Sequence, residues 1–283
     1  MRHVAIIYKH MRPEAAQLGR ELKEWFEKRA IDVFLQENIN DSGLSQSPRK
    51  IDIPKTVEAV VVVGGDGTFL SVARCIEKSS MPVIGVNFGG LGFLTSISAE
   101  SCFAKLEKII SGDFQIEERM RLRVSVRRGS KEIFSQRVLN DAVINKGALA
   151  RIIDLHTTID GKFLTHYRGD GLIIATPTGS TAYNISAGGP IIFPTAQAMI
   201  LTPICPFALT NRPIILPGHV TIQVEISGPS TDVTLTLDGQ VGCLVQESDQ
   251  ITVTAAATPL RIIKAPDVDH FEILRSKLKW GQA

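Results

Sequence analysis

Residues 59–76 read AVVVVGGDGTFLSVARCI, and this stretch decides the fold class. The β-branched run at 59–63 is typical of a strand buried on both faces of a sheet. Glycines interrupt it, and the apolar residues that follow recur at helical spacing: Phe69, Leu70, Val72, Ala73 and Ile76. A buried strand, a glycine-rich turn and an amphipathic helix form the repeating unit of a parallel sheet covered by helices. The stretch therefore predicts an α/β domain with a mostly parallel sheet.

The same alternation extends on both sides of this stretch. Residues 4–8 (VAIIY), 31–35 and 82–86 are further short apolar runs, and Pro13 stands at a suitable position to begin a helix. By contrast, residues 37–54 are polar and weakly patterned. Long loops of this kind are often mobile or functional, so we interpret this one as a lid.

From about residue 115 the pattern changes to short, alternating, β-branched segments separated by turn residues. One of them runs into Asp238-Gly239, a dipeptide that suits a tight hairpin. We therefore predict an α/β domain at residues 1–115, which carries the GGDGT loop, and an all-β, sandwich-like domain at 116–268. The tail at 269–283 is predicted to be a short helical segment that packs back on the N-terminal domain.

Composition excludes several classes of protein. Among 283 residues, 44% are hydrophobic and 21% charged, which is ordinary for a folded globular chain. The net charge of +2 is too small to suggest a dedicated nucleic-acid or membrane surface. No apolar run reaches the ~18 residues of a spanning helix, and no signal-peptide pattern is present, so we expect a cytoplasmic protein. The four cysteines and six histidines show no metal-ligand spacing, and we assign no metal site to the chain.

Two glycine clusters each follow a predicted strand. Gly64 to Gly67 is open to two interpretations, a tight turn or a loop that lets backbone N–H groups approach a phosphate or sugar. The second cluster, in GVNFGGLGF at 85–93, favours the ligand interpretation, because loops at the carboxyl ends of neighbouring parallel strands form a crevice. Neither loop is GxGxxG or GxxxxGK[ST], which excludes the standard dinucleotide fingerprint and the Walker loop.

Two further features suit a nucleotide. Residues 168–190 read RGDGLIIATPTGSTAYNISAGGP, an apolar strand followed by a dense cluster of hydroxyl, amide and glycine residues. This composition fits sugar hydroxyls and an amide-bearing ring, although a Ser/Thr-rich loop that caps a helix would have it too. Asn140-Asp141 interrupts an apolar stretch and suits a ribose diol, while a solvent-facing residue at a strand end explains it equally well.

Taken together, these motifs resemble the bacterial NAD kinase family. GGDGT at 64–68, Asn140-Asp141, the block at 168–190, TPICP at 202–206 and DGQ at 238–240 occur in the order and spacing of that family. The resemblance covers essentially the whole chain. GGDGT alone is shared with diacylglycerol kinases and phosphofructokinase-like enzymes, whereas the long block is more specific. The acidic residue at 141 is Asp, where other members can have Glu.

The resemblance implies an activity: transfer of the γ-phosphoryl of ATP to the 2′-hydroxyl of the adenosine ribose of NAD, which gives NADP. It implies Mg²⁺ or another divalent cation with ATP, NAD as the acceptor, a cytoplasmic homodimer or homotetramer, and no nucleic-acid or membrane partner. Polyphosphate as a donor, NADH as an acceptor and feedback by NADPH stay open.

The resemblance also assigns residues. Asp66 would contact and activate the 2′-hydroxyl, and Gly67 would leave room for the dinucleotide. Asn140 and Asp141 would bind the adenosine part, while Asp170 and Ala182 would hold the nicotinamide end. The other implied NAD contacts, some of which can serve a neighbouring subunit, are Arg151, Arg168, Thr181, Tyr183, Asn184, Ile185, Ser186 and Gln240.

Two other functions compete with this one. The GGDGT loop alone fits a kinase of a lipid or a sugar, which would turn over that substrate and show no saturable NAD binding. A non-catalytic NAD(P)-binding sensor would keep the pocket without the activity. The block at 168–190 argues against the first, and the intact Asp66 and glycine loops argue against the second.

Overall fold

The computed structural model describes residues 1–39, 51–77, 81–89, 92–147, 152–228, 232–264 and 269–280. These residues form two compact units. The first contains the described residues up to 118 together with 260–280, and the second contains those at 119–259. Most of the loop interpreted as a lid lies outside the described residues.

The first unit begins with alternating strands and helices. Its elements up to residue 119 are β1 (His3–Lys9), α1 (Pro13–Glu27), β2 (Asp32–Asn38), β3 (Ala59–Val63), α2 (Asp66–Cys75), β4 (Val83–Asn87), β5 (Ile97–Ser98), α3 (Cys102–Ile110) and β6 (Gln115–Arg119). Every residue of β3 is buried, as its apolar run predicts. Helix α1 begins with Pro13, whose missing N–H costs nothing at this position, and Leu18, Leu22 and Phe26 face the core.

The second unit is built from strands. Its elements are β7 (Leu122–Arg128), β8 (Lys131–Val138), β9 (Asp141–Lys146), β10 (Ile153–Ile159), β11 (Lys162–Gly169), β12 (Gly171–Ala175), a 3₁₀ turn (Thr178–Thr181), the short helix α4 (Tyr183–Ser186), β13 (Ala198–Ile204), β14 (Ile214–Pro217), β15 (Ile222–Ile226), β16 (Val233–Leu237), β17 (Val241–Val245) and β18 (Asp249–Ala255). The first unit is completed by β19 (Leu260–Lys264) and α5 (His270–Leu278).

The sheet of the first unit has the strand order β2-β1-β3-β4-β19-β6, and β5 also pairs with β4. The pairs β1–β2, β1–β3, β3–β4, β4–β5 and β4–β19 are parallel. The predicted α/β domain with a mostly parallel sheet is confirmed. Because β3 and β4 are parallel, the loops that follow them lie at the same edge of the sheet, where ligands of such sheets bind.

The second unit is an antiparallel β-sandwich, as predicted. One sheet has the order β11-β10-β15-β18-β7-β8 and the other β14-β13-β12-β9-β16-β17. Alternate residues of both sheets form one buried core, for example Val124 and Leu155 from the first sheet with Ile144 and Leu235 from the second. The expected hairpin at Asp238-Gly239 joins β16 to β17 through residues 238–240, and Asp238 and Gly239 have positive φ values of +50° and +65°.

The boundary between the two units near the C-terminus differs from the prediction. The sequence predicts a β domain that extends to residue 268, whereas the second unit ends at residue 259. Strand β19 lies in the parallel sheet of the first unit, where Ile262 pairs with Val83 of β4. Burial of Leu260 and Ile263 stabilises it there, and a short apolar run gives no local sign of which sheet it will join.

The predicted C-terminal helix is confirmed as α5, whose N-cap Asp269 accepts from Phe271 N at 3.1 Å. In the parts of the chain that are described, no helix is both long and apolar enough to cross a bilayer.

Candidate functional site

The first group of site residues follows β3. Gly64 donates its N–H to Val86 O at 2.8 Å, Gly65 is the N-cap of α2, and Asp66 is the first residue of that helix. Gly64 has no room for a side chain, since a Cβ there would lie 2.6 Å from Thr68 Oγ1. The turn therefore packs closely between strand and helix and places Asp66 at the carboxyl edge of the sheet, as the sequence predicted.

The carboxylate of Asp66 is held by the second glycine loop. Its Oδ1 accepts from Leu94 N and Thr95 N, both at 3.1 Å, and from Thr95 Oγ1 at 2.9 Å. Its Oδ2 accepts from Phe93 N at 3.0 Å. The two glycine loops of the sequence thus form one hydrogen-bonded structure around this carboxylate. Asp66 is half-buried and Gly67 is exposed, so the turn is open to a ligand.

The second group lies at one edge of the sandwich, around the bend that precedes β9. The carboxylate of Asp238 accepts from the backbone N–H groups of Leu139, Asn140 and Asp141, at 3.2, 2.8 and 3.3 Å to its Oδ1. On the other side of the bend, Asn140 O accepts from Thr176 N at 2.8 Å. Because Asp141 pairs with Ala175 across the ladder, the start of β9 and the ends of β12 and β16 meet at this edge.

Asp141 carries a titratable group in an unusual environment. Its side chain is buried, and burial, together with the nearby charge of Asp238, raises the pKa of Asp141 to about 7. Desolvation penalises the charged carboxylate, and a like charge adds to that penalty. Near neutral pH this carboxyl is present in both its protonated and its ionised form. In the ionised form both of its oxygens can accept hydrogen bonds from a diol. Perturbed groups of this kind are frequent at functional sites.

The segment after β12 packs on the outer face of the same sheet. Asn184 is fully buried, and its Nδ2 donates to Ser180 O and Pro190 O, each at 3.0 Å, while its Oδ1 accepts from Thr202 Oγ1 at 2.7 Å. Three hydrogen bonds use most of the capacity of this amide, so the side chain supports the segment. Around it, the structure leaves Thr181, Ala182 and Ile185 half-buried and Tyr183 and Ser186 exposed.

Thr202→Val is expected to lower the free energy of unfolding by about 1–2 kcal/mol, because it leaves the buried Oδ1 of Asn184 without this donor. Urea denaturation measures the change. Thr254→Val, at a half-buried position of β18, is the matched control and is expected to change stability by less than about 0.5 kcal/mol. Equal effects of the two variants would contradict the supporting role of the Thr202–Asn184 bond.

The third group, Arg168 and Asp170, lies at the opposite end of β12. Asp170 precedes Gly171, which pairs with Asn145 and Ile204, and its Oδ1 lies 3.6 Å from Lys146 Nζ. Five residue steps along the strand lead from it to Ala175, a span of about 16 Å. The exposed Arg168 has its Nε 3.8 Å from Asp154 Oδ2, and its guanidinium lies 5.6 Å from the centre of the Phe207 ring.

Both halves of the chain match models of one enzyme family. Residues 4–114 match the ATP-NAD kinase N-terminal domain, and residues 139–265 match the ATP-NAD kinase C-terminal domain. The chain belongs to the ATP-NAD kinase family. The family resemblance drawn from the motifs is confirmed, and the family uses NAD and ATP as substrates.

Relatives in the family match over the whole length. A protein of Syntrophobacter fumaroxidans named NAD kinase is 66% identical over 283 residues, and one of Geotalea daltonii with the same name is 47% identical over 283 residues, each with 100% of both chains covered. Among solved structures, the chain is similar to yeast NADH kinase complexed with NADH, with a TM-score of 0.86, 23% identity and coverage of 100% of this chain and 89% of the other. An NAD kinase of Archaeoglobus fulgidus in complex with ATP has a TM-score of 0.75 at 26% identity, with 98% of both chains covered.

The structure brings some implied residues of the family together and separates others. Asn140 and Asp141 share one edge of the sandwich with the turn that precedes Gln240, whose N–H donates to Leu237 O at 3.0 Å. Arg168 and Asp170 lie at the far end of β12, and Asp66 and Gly67 belong to the other unit. Arg151 lies outside the described residues.

Sequence reasoning missed two residues that organise these groups. Asp238 appears in the sequence as a turn residue, and nothing local shows that its carboxylate reaches a bend 97 to 99 residues away. Thr95 donates to a carboxylate 29 residues away and has no local signal either. Across the described ranges, no group of three or more His, Cys, Asp or Glu side chains is arranged to hold a metal ion.

Proposed function

We propose that this protein transfers the γ-phosphoryl of ATP to the 2′-hydroxyl of the adenosine ribose of NAD and so produces NADP. The observation that carries the proposal is the 66% identity, over the whole chain, to a relative named NAD kinase. The held carboxylate of Asp66 at the glycine turn supports it, since a kinase must orient the acceptor hydroxyl.

The chemistry assigns Asp66 a role mainly in positioning. Phosphoryl transfer passes through a loose transition state in which little proton removal has occurred, so a general base contributes modestly. A carboxylate that accepts a hydrogen bond from the 2′-hydroxyl aligns the hydroxyl oxygen with the γ-phosphorus of ATP. As the new O–P bond forms, the bond from the γ-phosphorus to the bridging oxygen breaks, ADP leaves, and the hydroxyl proton passes to the carboxylate. The exposed Gly67, which has no side chain, leaves space beside it.

The sandwich supplies the proposed NAD contacts. Asp141, with Asn140 next to it, accepts from a hydroxyl of the adenosine ribose, and the exposed ring of Tyr183 offers a surface on which a base can stack. Thr181, Ala182, Ile185 and Ser186 are the proposed contacts from the segment after β12, and Asn184 acts through the backbone of that segment, which it supports. Gln240, Arg151, Arg168 and Asp170 complete the proposed set, with Asp170 and Ala182 at the nicotinamide end.

The remaining partners follow from the reaction class. Mg²⁺ enters bound to the ATP phosphates, as part of the substrate, because this ion usually binds through phosphates and few protein ligands. We place the protein in the cytoplasm, where NAD and ATP are available, as a homodimer or homotetramer.

The test is a direct assay of NADP formation from NAD, ATP and Mg²⁺ by the full chain, with polyphosphate as an alternative donor and NADH as an alternative acceptor. We expect NADP formation that saturates in both NAD and ATP. A folded protein that forms no NADP but binds NAD by calorimetry would be a sensor. Turnover of a lipid or sugar without saturable NAD binding would assign the GGDGT loop to another kinase.

The resemblance to the family implies that some NAD contacts serve a neighbouring subunit, and Asp141 and Asp170, near opposite ends of β12, are the pair that tests this. If one NAD contacts Asp141 of one chain and Asp170 of another, Asp141→Asn and Asp170→Asn chains are each nearly inactive but complement one another when they assemble together. Co-expression of the two variants, followed by the NADP assay, measures this. An inactive mixed oligomer would show that both residues serve the same chain.

A further inference from the structure

A short turn of the first unit encloses the Asp66 carboxylate, and we name residues 92–95 the carboxylate clamp. Three consecutive backbone N–H groups of the clamp, from Phe93 to Thr95, and one hydroxyl point at the carboxylate, at 2.9 to 3.1 Å. The clamp is closed on itself by a bond from Gly92 N to Thr95 O at 3.0 Å. Thr95 is fully buried, so its hydroxyl is shielded from water and directed to one acceptor.

The backbone around the clamp is shaped for this contact. A Cβ on Gly92 would collide with Asp66 Oδ1 and with Thr95 Oγ1, and a Cβ on Gly85 of β4 would lie 2.7 Å from Leu94 O. Glycine at position 85 lets β4 pack closely on the clamp, and glycine at position 92 lets the clamp approach the carboxylate within hydrogen-bonding distance. This accounts for two glycines of the second cluster by close packing around Asp66.

The donors are distributed unequally between the two carboxylate oxygens. Oδ1 accepts three hydrogen bonds, whereas within the described residues Oδ2 accepts one, from Phe93 N. A carboxylate oxygen offers about two lone-pair directions, so Oδ1 is fully occupied. Oδ2 keeps a direction for a further donor. The arrangement therefore distinguishes two oxygens that are chemically equivalent in a free carboxylate.

We propose that Thr95 is a positioning residue for phosphoryl transfer: its buried hydroxyl fixes Asp66 Oδ1 in the clamp so that Oδ2 alone faces the acceptor hydroxyl. The inference rests on the proposed function of Asp66. Without the Thr95 hydroxyl, Oδ1 loses its shortest hydrogen bond and keeps only those from Leu94 N and Thr95 N, so the orientation of the carboxylate is held less tightly. Reaction geometry is sensitive to small misplacements of this kind, while substrate binding by other residues is not.

The experiment compares Thr95→Val, which keeps the shape and removes the hydroxyl, with Thr95→Ser, which keeps the hydroxyl. We expect Thr95→Val to lower kcat for NADP formation by about 10- to 50-fold, with KM for NAD and ATP changed by less than about threefold. Thr95→Ser is expected to keep kcat within about threefold of wild type. Thermal denaturation reports whether each variant is folded, and if Thr95→Val does not fold, Thr95→Ala against Thr95→Ser isolates the same hydroxyl.

A double-mutant cycle with Asp66→Asn separates positioning from general support of the fold. If Thr95 acts through Asp66, Thr95→Val costs little further activity in the Asp66→Asn background, and the two effects are strongly non-additive. Additive losses of kcat in the cycle, or equal kcat values for Thr95→Val and Thr95→Ser, would overturn the role of Thr95. Neither result would affect the proposed function as long as the wild-type protein forms NADP. Absence of NADP formation by folded wild type would instead reject the function on which the proposal rests.

Discussion

Asp66→Asn is expected to lower kcat for NADP formation by about 10³-fold, or about 4 kcal/mol of transition-state stabilisation. The amide is nearly the same size as the carboxylate, but it presents N–H hydrogens where a carboxylate presents lone pairs. With the amide oxygen in the Oδ1 position, where the Leu94 and Thr95 donors point, Nδ2 takes the Oδ2 position and faces Phe93 N–H. The acceptor hydroxyl then meets a donor instead of an acceptor and loses both its alignment and its proton acceptor.

The measurement is the steady-state rate of NADP formation at saturating NAD and ATP. Asp113→Asn, at an exposed position of the same unit, is the matched control and is expected to keep wild-type kcat. Calorimetric NAD binding by Asp66→Asn is expected to stay within about threefold of wild type, because most proposed contacts lie in the sandwich. A kcat above about a tenth of the wild-type value would remove Asp66 from the reaction.

The sequence predicted an element correctly wherever its residues show a clear hydrophobic periodicity or a characteristic turn. The AVVVV run is a buried central strand, Pro13 begins α1, and Asp238-Gly239 is a hairpin with two positive φ values. The sequence did not predict which sheet β19 would join. Its pairing with β4 depends on burial and on the path of the chain, and no pattern within residues 260–264 indicates that partner.

The candidate site was predictable at the level of motifs but not at the level of contacts. The sequence predicts that the glycine clusters containing Gly64 and Gly92 are ligand loops, and the structure shows that these two glycines are also required by close packing around Thr68 and Asp66. Asn184 reads as one more polar residue in a ligand loop, yet its amide is committed to Thr202 and the backbone around it. Such contacts join residues that are distant in sequence, and their geometry depends on the packed sheets.

Asp141→Asn is expected to stabilise the protein by about 2–4 kcal/mol at pH 8, and not at pH 4. The pKa of Asp141 is about 7 in the folded protein, against an ordinary value of 3.8, because of burial and the charge of Asp238. Below about pH 4 the carboxyl is protonated in both the folded and unfolded states, so it has no differential effect. Between about pH 4 and pH 7 the unfolded chain releases a proton that the folded chain retains, and stability falls as the pH rises. The neutral amide removes this cost.

Urea denaturation of wild type and Asp141→Asn from pH 4 to pH 8 measures the difference, which should grow through this range and level off above about pH 7. The backbone bonds to Asp238 involve only the N–H of residue 141, so they survive the substitution. A difference that does not change with pH would show that the burial of Asp141 is not relieved by the amide.

The same carboxyl should make NAD binding depend on pH in the opposite sense to stability. Because a protonated Asp141 cannot accept from a ribose hydroxyl with that oxygen, wild-type affinity for NAD is expected to rise about tenfold from pH 6 to pH 8, with release of about half a proton per NAD at pH 7. Calorimetry in two buffers of different ionisation enthalpy measures that proton. Asp141→Asn should bind NAD about 10- to 100-fold more weakly at pH 8, with no pH dependence from this position. A variant that gains stability and keeps wild-type affinity would place Asp141 in the fold of the sandwich edge and outside the NAD site.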